Sequence, residues 1–269
     1  MTDNNVSMNK VRISLVKYLN AIPFHFGLKS FFTTDSVKIS LDTPAVCSGK
    51  LQSGKADIGL IPVASIPEIS GAEIFSPFCI GSYGSVKSVM LYSNVPIQEV
   101  KNILLDYQSK TSVQLIKILA HKLWQIKVNF IHTKPGYEHD IQGNTAGLVI
   151  GDRALSFLHK FSYQCDLSEC WKSMTGMPFV FACWATNKKL SKSFQDDFNQ
   201  ALLYGLNNKS SAVKALVNRN DFAIDPTQYL RDNISYDYDH EKKNAMKHFL
   251  ALSKELEEAE NSDYQTYET

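Results

Sequence analysis

Short apolar runs punctuate the chain at Val11–Val16, 37–41, 58–61, 88–93, Asn102–Leu105, 128–131, 147–150 and 179–185. Most of the segments between them carry helical apolar spacing. Strands alternating with helices predict an α/β chain with largely parallel sheets. The layout also repeats. Val11–Val16, a loop, an apolar segment and "ADIGLIPVASI" match in kind "NILLDYQSK", a helix from Thr111, and "TAGLVIGDRAL". Two such halves predict two lobes whose strand carboxyl ends face a central ligand cleft, the usual binding crevice of open α/β sheets. After "PFVFACWATN" only helical patterns remain, at 191–206, 210–218, 226–233 and 238–258. The expected division is residues 1–93 for the first part of lobe 1, 94–186 for lobe 2, and 187–269 for a helical return that completes lobe 1. Gly81 and Gly84 bracket a polar turn between the halves. Hinges are expected near residues 81–95 and 185–189.

Composition narrows the function classes. With 269 residues, 44% hydrophobic and 20% charged, the chain has material for two lobes. A formal net charge of +1 gives no electrostatic case for nucleic acid or an anionic membrane. No apolar run approaches the ~18 residues a membrane span needs. The polar opening "MTDNNVSMNK" lacks the apolar core of an export signal. Cys47, Cys79, Cys165, Cys170 and Cys183 are scattered without a CxxC pair. They predict reduced thiols in a cytoplasmic protein, a monomer or homodimer, rather than a disulfide frame or a zinc site.

The chemistry is expected at strand ends. "VKYLNAIPF", residues 16–24, places Tyr18, Leu19 and Asn20 just past the first strand. Either these side chains pack into their own core, or Tyr18 and Asn20 face a ligand. In "DYQSKTSVQL", Thr111 fits an N-cap with Gln114 three residues on. A first turn carrying Thr111 and Ser112 would offer hydroxyls and free N–H groups to an anion without any cationic side chain. "GLVIGDRAL" repeats the geometry, with Gly151 making the turn and Asp152 the expected cap. Ser82, Ser85 and Ser88 add hydroxyls between the halves. Arginine is scarce, so a carboxylate clamp would have to use Arg12 or Arg153. His25 is a boundary core residue or an acid–base group. No GxSxG, HExxH, GxxxxGK[ST] or GxGxxG occurs, so hydrolase, metalloprotease, P-loop and dinucleotide chemistry lack their motifs. No cofactor and no metal are expected.

Six stretches in order carry a resemblance: "YLNAIPF", "GKADIGLIPVA", "IGSYGSVKSVMLYS", "KTSVQL", "VIGDRAL" and "LSECWKSMTGMPFVFACWAT". The layout resembles type II periplasmic binding proteins, and these stretches resemble the chorismate dehydratases of the futalosine route to menaquinone. The resemblance runs from about residue 11 to residue 187 and implies a lyase acting on chorismate. That reaction removes the C4 hydroxyl and the C3 hydrogen to leave 3-[(1-carboxyvinyl)oxy]benzoate. It needs a dianion held in an eliminating geometry. The proton acceptor is then the substrate's enolpyruvyl carboxylate, or alternatively Asp152 or His25. On this reading Asn20 is catalytic, and Tyr18, Ser82, Ser85, Ser88, Thr111, Ser112, Gly151 and Asp152 bind substrate. Two alternatives share the fold. The sister enzyme acting on a cyclic futalosine derivative is expected to show a "PCPNDTF"-like stretch where this chain has "KYLNAIPF". A solute-binding or ligand-sensing protein is expected to begin with an export signal when it is exported.

Overall fold

A computed structural model describes residues 10–266. The polar opening stretch read for export signals lies mostly outside the described residues, as do the last residues of the helical return. Among the described residues there are eleven strands: β1 (Val11–Val16), β2 (Val37–Asp42), β3 (Ile58–Pro62), β4 (Glu73–Ser82), β5 (Val89–Ser93), β6 (Asn102–Leu105), β7 (Asn129–His132), β8 (Thr145–Ile150), β9 (Tyr163–Asp166), β10 (Phe179–Thr186) and β11 (Ser235–Asp237). They form a six-stranded sheet, ordered β11-β4-β10-β3-β1-β2, and a five-stranded sheet, ordered β7-β6-β8-β5-β9. The α/β, two-lobed architecture with a cleft between sheets is therefore present.

The strands divide between the sheets differently from the expected boundaries at 93 and 186. β5 pairs with β8 and β9 in the five-stranded sheet, and β10 pairs with β3 and β4 in the six-stranded one. Both run antiparallel to their neighbours. A chain that crosses the cleft enters the next sheet from its carboxyl end, so the crossing strand reverses direction and belongs to the sheet it enters. The crossings are therefore residues 83–88 and 176–178. The first falls in the expected hinge. The second precedes the expected one at 185–189, and Gly176 turns there with φ +72°.

Three strands escaped the sequence pattern. In β4, Ser76 and Pro77 break the apolar run, and register shifts mark its pairing with β10. β9 and β11 have only four and three residues, too short for periodicity to register.

Among the described residues nine α-helices cover the sheets: α1 (Ile22–Phe31), α2 (Pro44–Gln52), α3 (Lys110–Ile118), α4 (Asp152–Phe157), α5 (Leu167–Thr175), α6 (Lys192–Asn207), α7 (Lys209–Leu216), α8 (Pro226–Asp232) and α9 (His240–Thr266). α6 returns onto α1 at backbone distance. A Cβ at Gly27 would lie 2.0 Å from the Ala201 carbonyl oxygen, and one at Gly205 would lie 1.9 Å from that of Pro23. Only glycine permits this approach on either helix. The return does not end on the first lobe. α9 continues onto α3 of the second, where Gln114 donates to Glu257 at 2.7 Å and Lys117 pairs with Glu260 at 2.9 Å. Trp171 of α5 packs edge-on to Phe249 of α9. One helix thus straps both lobes.

Candidate functional site

The first strand ends at Val16, and its continuation is held from both lobes. Leu19 is buried in a 3-10 turn over Leu19–Ala21, and Pro23 sits at the start of α1. Tyr18 crosses the cleft, donating its phenol hydroxyl to Gln108 Oε1, whose amide Nε2 in turn donates to Tyr107 at 2.7 Å. The Tyr18 ring lies flat enough on Gly151 that a Cβ there would meet it at 2.7 Å. Gly151 also holds φ +66°, so glycine is needed twice over.

Between the lobes lies a small cavity of ≈ 40 Å³. Tyr18, Asn20, Ser88, Ser109, Ser112 and Gly151 supply its polar wall, with Val16, Ile80, Val89, Ile150 and Phe181 among its apolar lining. Among the described residues no charged side chain lines it. Asn20 is the residue without closure. Its backbone carbonyl accepts from Tyr236 at 2.9 Å, but its side-chain Oδ1 is buried and has no partner. A buried amide oxygen left unpaired costs about 1–3 kcal/mol, which a ligand donor would recover.

Five of the nine expected site residues meet at this cavity: Tyr18, Asn20, Ser88, Ser112 and Gly151. The other four stand elsewhere. Ser82 donates to the Gly84 carbonyl at 2.6 Å, and Ser85 donates to Asp166 at 2.8 Å. Both line a separate depression of ≈ 450 Å³ with Tyr83, Lys209 and Tyr236. Their hydroxyls brace the crossing at 83–88, where Asp166 also accepts from the Lys87 N–H at 2.7 Å. Thr111 is fully buried and accepts from the Ala64 N–H at 3.1 Å, tying α3 to the opposite lobe. The cap of α3 is Ser109, which accepts from Ser112 N at 3.3 Å and from Ser112 Oγ at 3.2 Å. The helix starts one residue before Thr111, so Thr111 is inside it and Gln114 closes no capping box.

Asp152 also differs from its expected role. Gly151 occupies the cap position, and Asp152 Oδ1 accepts from the Leu19 N–H of the other lobe at 2.9 Å. Burial pushes its carboxyl up to about 6, against the opposing pull of that N–H and Lys17. His25 lines a surface depression with Lys29 and Thr33, apart from the cavity. Neither clamp candidate is available. Arg12 pairs with Asp57 at 2.7 Å, while Arg153 pairs with Asp106 at 2.5 Å and with Glu138. Among the described residues no group of three His, Cys, Asp or Glu side chains could hold a metal ion. No helix there is long and apolar enough to cross a membrane.

Sequence reasoning missed Tyr229 and Tyr236, which arrive on α8 and β11 of the helical return. Tyr229 donates to Ser88 Oγ at 2.8 Å. Burial raises its phenol pKa, so it stays protonated. In the sequence it is one apolar position of a short helix, and only the tertiary fold brings it beside residue 88. Ser109 carried a legible signal, a serine directly before a helical stripe.

Comparison with known proteins bears on the fold and the family. A structural-genomics target from Archaeoglobus fulgidus superposes with a TM-score of 0.71 at 12% identity, covering 91% of this chain and 97% of that one. A Candida albicans protein described as having the generic periplasmic-binding-protein fold superposes with a TM-score of 0.65 at 12% identity, covering 92% and 90%. These likenesses concern the fold, which is that of the periplasmic binding proteins. In sequence, the chain is 25% identical to a chorismate dehydratase from Thermus thermophilus over 203 residues, 66% of this chain and 70% of that one. The model of the menaquinone biosynthesis family matches residues 11–255, and the chain therefore belongs to that family.

Proposed function

We propose that this protein is a cytoplasmic lyase that dehydrates chorismate to 3-[(1-carboxyvinyl)oxy]benzoate on the futalosine route to menaquinone. The observation that carries the reading is the buried, unpartnered Asn20 Oδ1 facing a neutral polar cavity between two lobes. The likeness to a chorismate dehydratase supports the substrate. The cavity supplies an amide, three serine hydroxyls and a tyrosine, and the capped N-terminus of α3 stands at its edge. Such a wall holds a dianion by directed hydrogen bonds and the helix dipole rather than by a cation.

The elimination needs little from the protein beyond orientation. The C3–H and C4–O bonds break and the ring gains a π bond. The C3 proton passes to the enolpyruvyl carboxylate and on to the departing oxygen, which leaves as water. Aromatisation drives the step, so the protein's part is to fix the C4 hydroxyl and exclude bulk water. Asp152 and His25, the other acceptors considered, do not line the cavity. A cavity of ≈ 40 Å³ leaves free room for little more than a water molecule. Substrate entry therefore requires the lobes to part about 83–88 and 176–178, against the strap of α9.

The test is incubation with chorismate, without added metal or nucleotide, followed by proton NMR. Loss of the cyclohexadiene signals with growth of a meta-substituted aromatic ring is expected. Saturable chorismate binding without turnover would instead make the protein a binding module, and no binding at all would remove chorismate as its ligand.

A further inference from the structure

The polar wall of the cavity is organised by a residue outside it. Tyr229 is almost completely buried on α8. Its hydroxyl donates to Ser88 Oγ at 2.8 Å. The Asn20 Oδ1, a residue of the same cavity wall, is buried and has no partner. A serine oxygen that accepts from Tyr229 keeps its own proton for another acceptor, and none is found among the described residues. The phenol therefore leaves the Ser88 hydroxyl free to donate, on the cavity wall where Asn20 keeps an open acceptor.

We propose that Tyr229 is the positioning residue of this site, fixing the Ser88 hydroxyl as a donor beside the open Asn20 acceptor, so that a substrate hydroxyl is gripped by one acceptor and one donor. The inference rests on the proposed dehydration for its substrate. The Asn20 Oδ1 would accept the proton of the C4 hydroxyl, and Ser88 would donate to its oxygen as the C–O bond lengthens. Ser88 and Tyr229 keep their own protons throughout, because the proton that completes the water comes from C3. The arrangement also explains why the helical return is needed at a cleft built by other segments. α8 carries Tyr229, and β11 carries Tyr236, which holds the Asn20 backbone carbonyl.

The test is a double-mutant cycle of Tyr229→Phe and Ser88→Ala on the full chain, with chorismate as substrate. Phe keeps the buried ring and removes only the hydroxyl. Tyr229→Phe should lower kcat about 30-fold with KM changed by less than about three-fold, since the misoriented donor matters most as the bond breaks. In the Ser88→Ala background the same change should cost less than about three-fold, because the group it positions is gone. Full additivity of the two losses, or an unchanged kcat in Tyr229→Phe, would overturn the proposal. A crystal structure of Tyr229→Phe reads the local claim without turnover and stands apart from the identity of the substrate. The Ser88 hydroxyl should then occupy more than one orientation. A single Ser88 orientation, identical to that of the parent protein, would overturn the proposal even if chorismate proved to be the wrong substrate.

Discussion

Two polar clusters sit at strand ends on either side of Gly151, and they differ in one respect. Behind it, Asp106 accepts from Tyr137 at 2.9 Å, from the Ile150 N–H at 3.2 Å, from the Gln108 N–H at 2.9 Å and from Arg153 at 2.5 Å. Arg153 also pairs with Glu138 and lies over the Tyr107 and Tyr137 rings. Every strong group there has a protein partner. In front, Asn20 and Ser88 are held from behind and open towards the cavity. Charge marks the scaffold in this molecule, and an unfinished set of neutral hydrogen bonds marks the site. The difference teaches that a search for ionic chemistry would have gone to the wrong cluster.

The contrast can be broken most forcefully at Asp106. Asp106→Ala strips four donors of their acceptor inside the second lobe and should cost about 3 kcal/mol of stability. A clear fall in melting temperature is expected, and an unchanged one would show that this cluster is not scaffold.

Asp152 is the carboxylate closest to bridging the two behaviours. Its carboxyl ordinarily titrates near 3.8 and is pushed up to about 6 by burial. Folding thus favours its protonated form. The resulting stabilisation is full below about pH 4 and is lost as pH rises through about 6. Asp152→Asn stays neutral and can still accept from Leu19. Its unfolding free energy relative to the parent should rise by on the order of 2 kcal/mol between pH 4 and 7. A difference that does not change with pH would contradict this.

The pair at the start of α3 separates scaffold from site within two residues. Ser112→Ala should raise KM for chorismate about ten-fold, the loss of one charge-assisted bond. Thr111→Val should leave KM alone and cost about 1 kcal/mol of stability through the orphaned Ala64 N–H. Equal effects of the two on KM would return Thr111 to the binding wall. The smallest effect belongs to Ser82, whose hydroxyl is spent on Gly84. Ser82→Ala should change kcat/KM for chorismate by less than about two-fold, and a larger loss would bring it back to the cleft.

What the sequence made legible follows from what is local. β1, β2, β3 and β6 and the four long helical patterns after residue 190 were readable, because apolar periodicity over several turns or a buried strand is a local signal. So was "VKYLNAIPF", since a tyrosine and an asparagine at a strand end have few reasons to be there. β5 and β10 were found as strands but assigned to the wrong sheet, because pairing across a hinge is a matter of direction rather than composition. Serine was the least legible residue type. Ser82, Ser85, Ser88 and Ser112 look alike in sequence, and only their partners distinguish a braced crossing from a cavity wall. Tyr229 was invisible for the same reason, its role being set by Ser88 more than a hundred residues away.

The central claim is that Asn20 acts at the open end of this network. It is tested most directly by initial rates of aromatic product formation from chorismate for the parent protein and Asn20→Asp, measured beside their melting curves. The substitution keeps the shape, replaces the NH₂ donor with an acceptor, and sets a negative charge against a dianion. The rate should fall at least about 100-fold, roughly 2.7 kcal/mol on the barrier, with the melting temperature nearly unchanged. A variant that forms product at the parent's rate, or that loses activity only because it unfolds, would contradict the account.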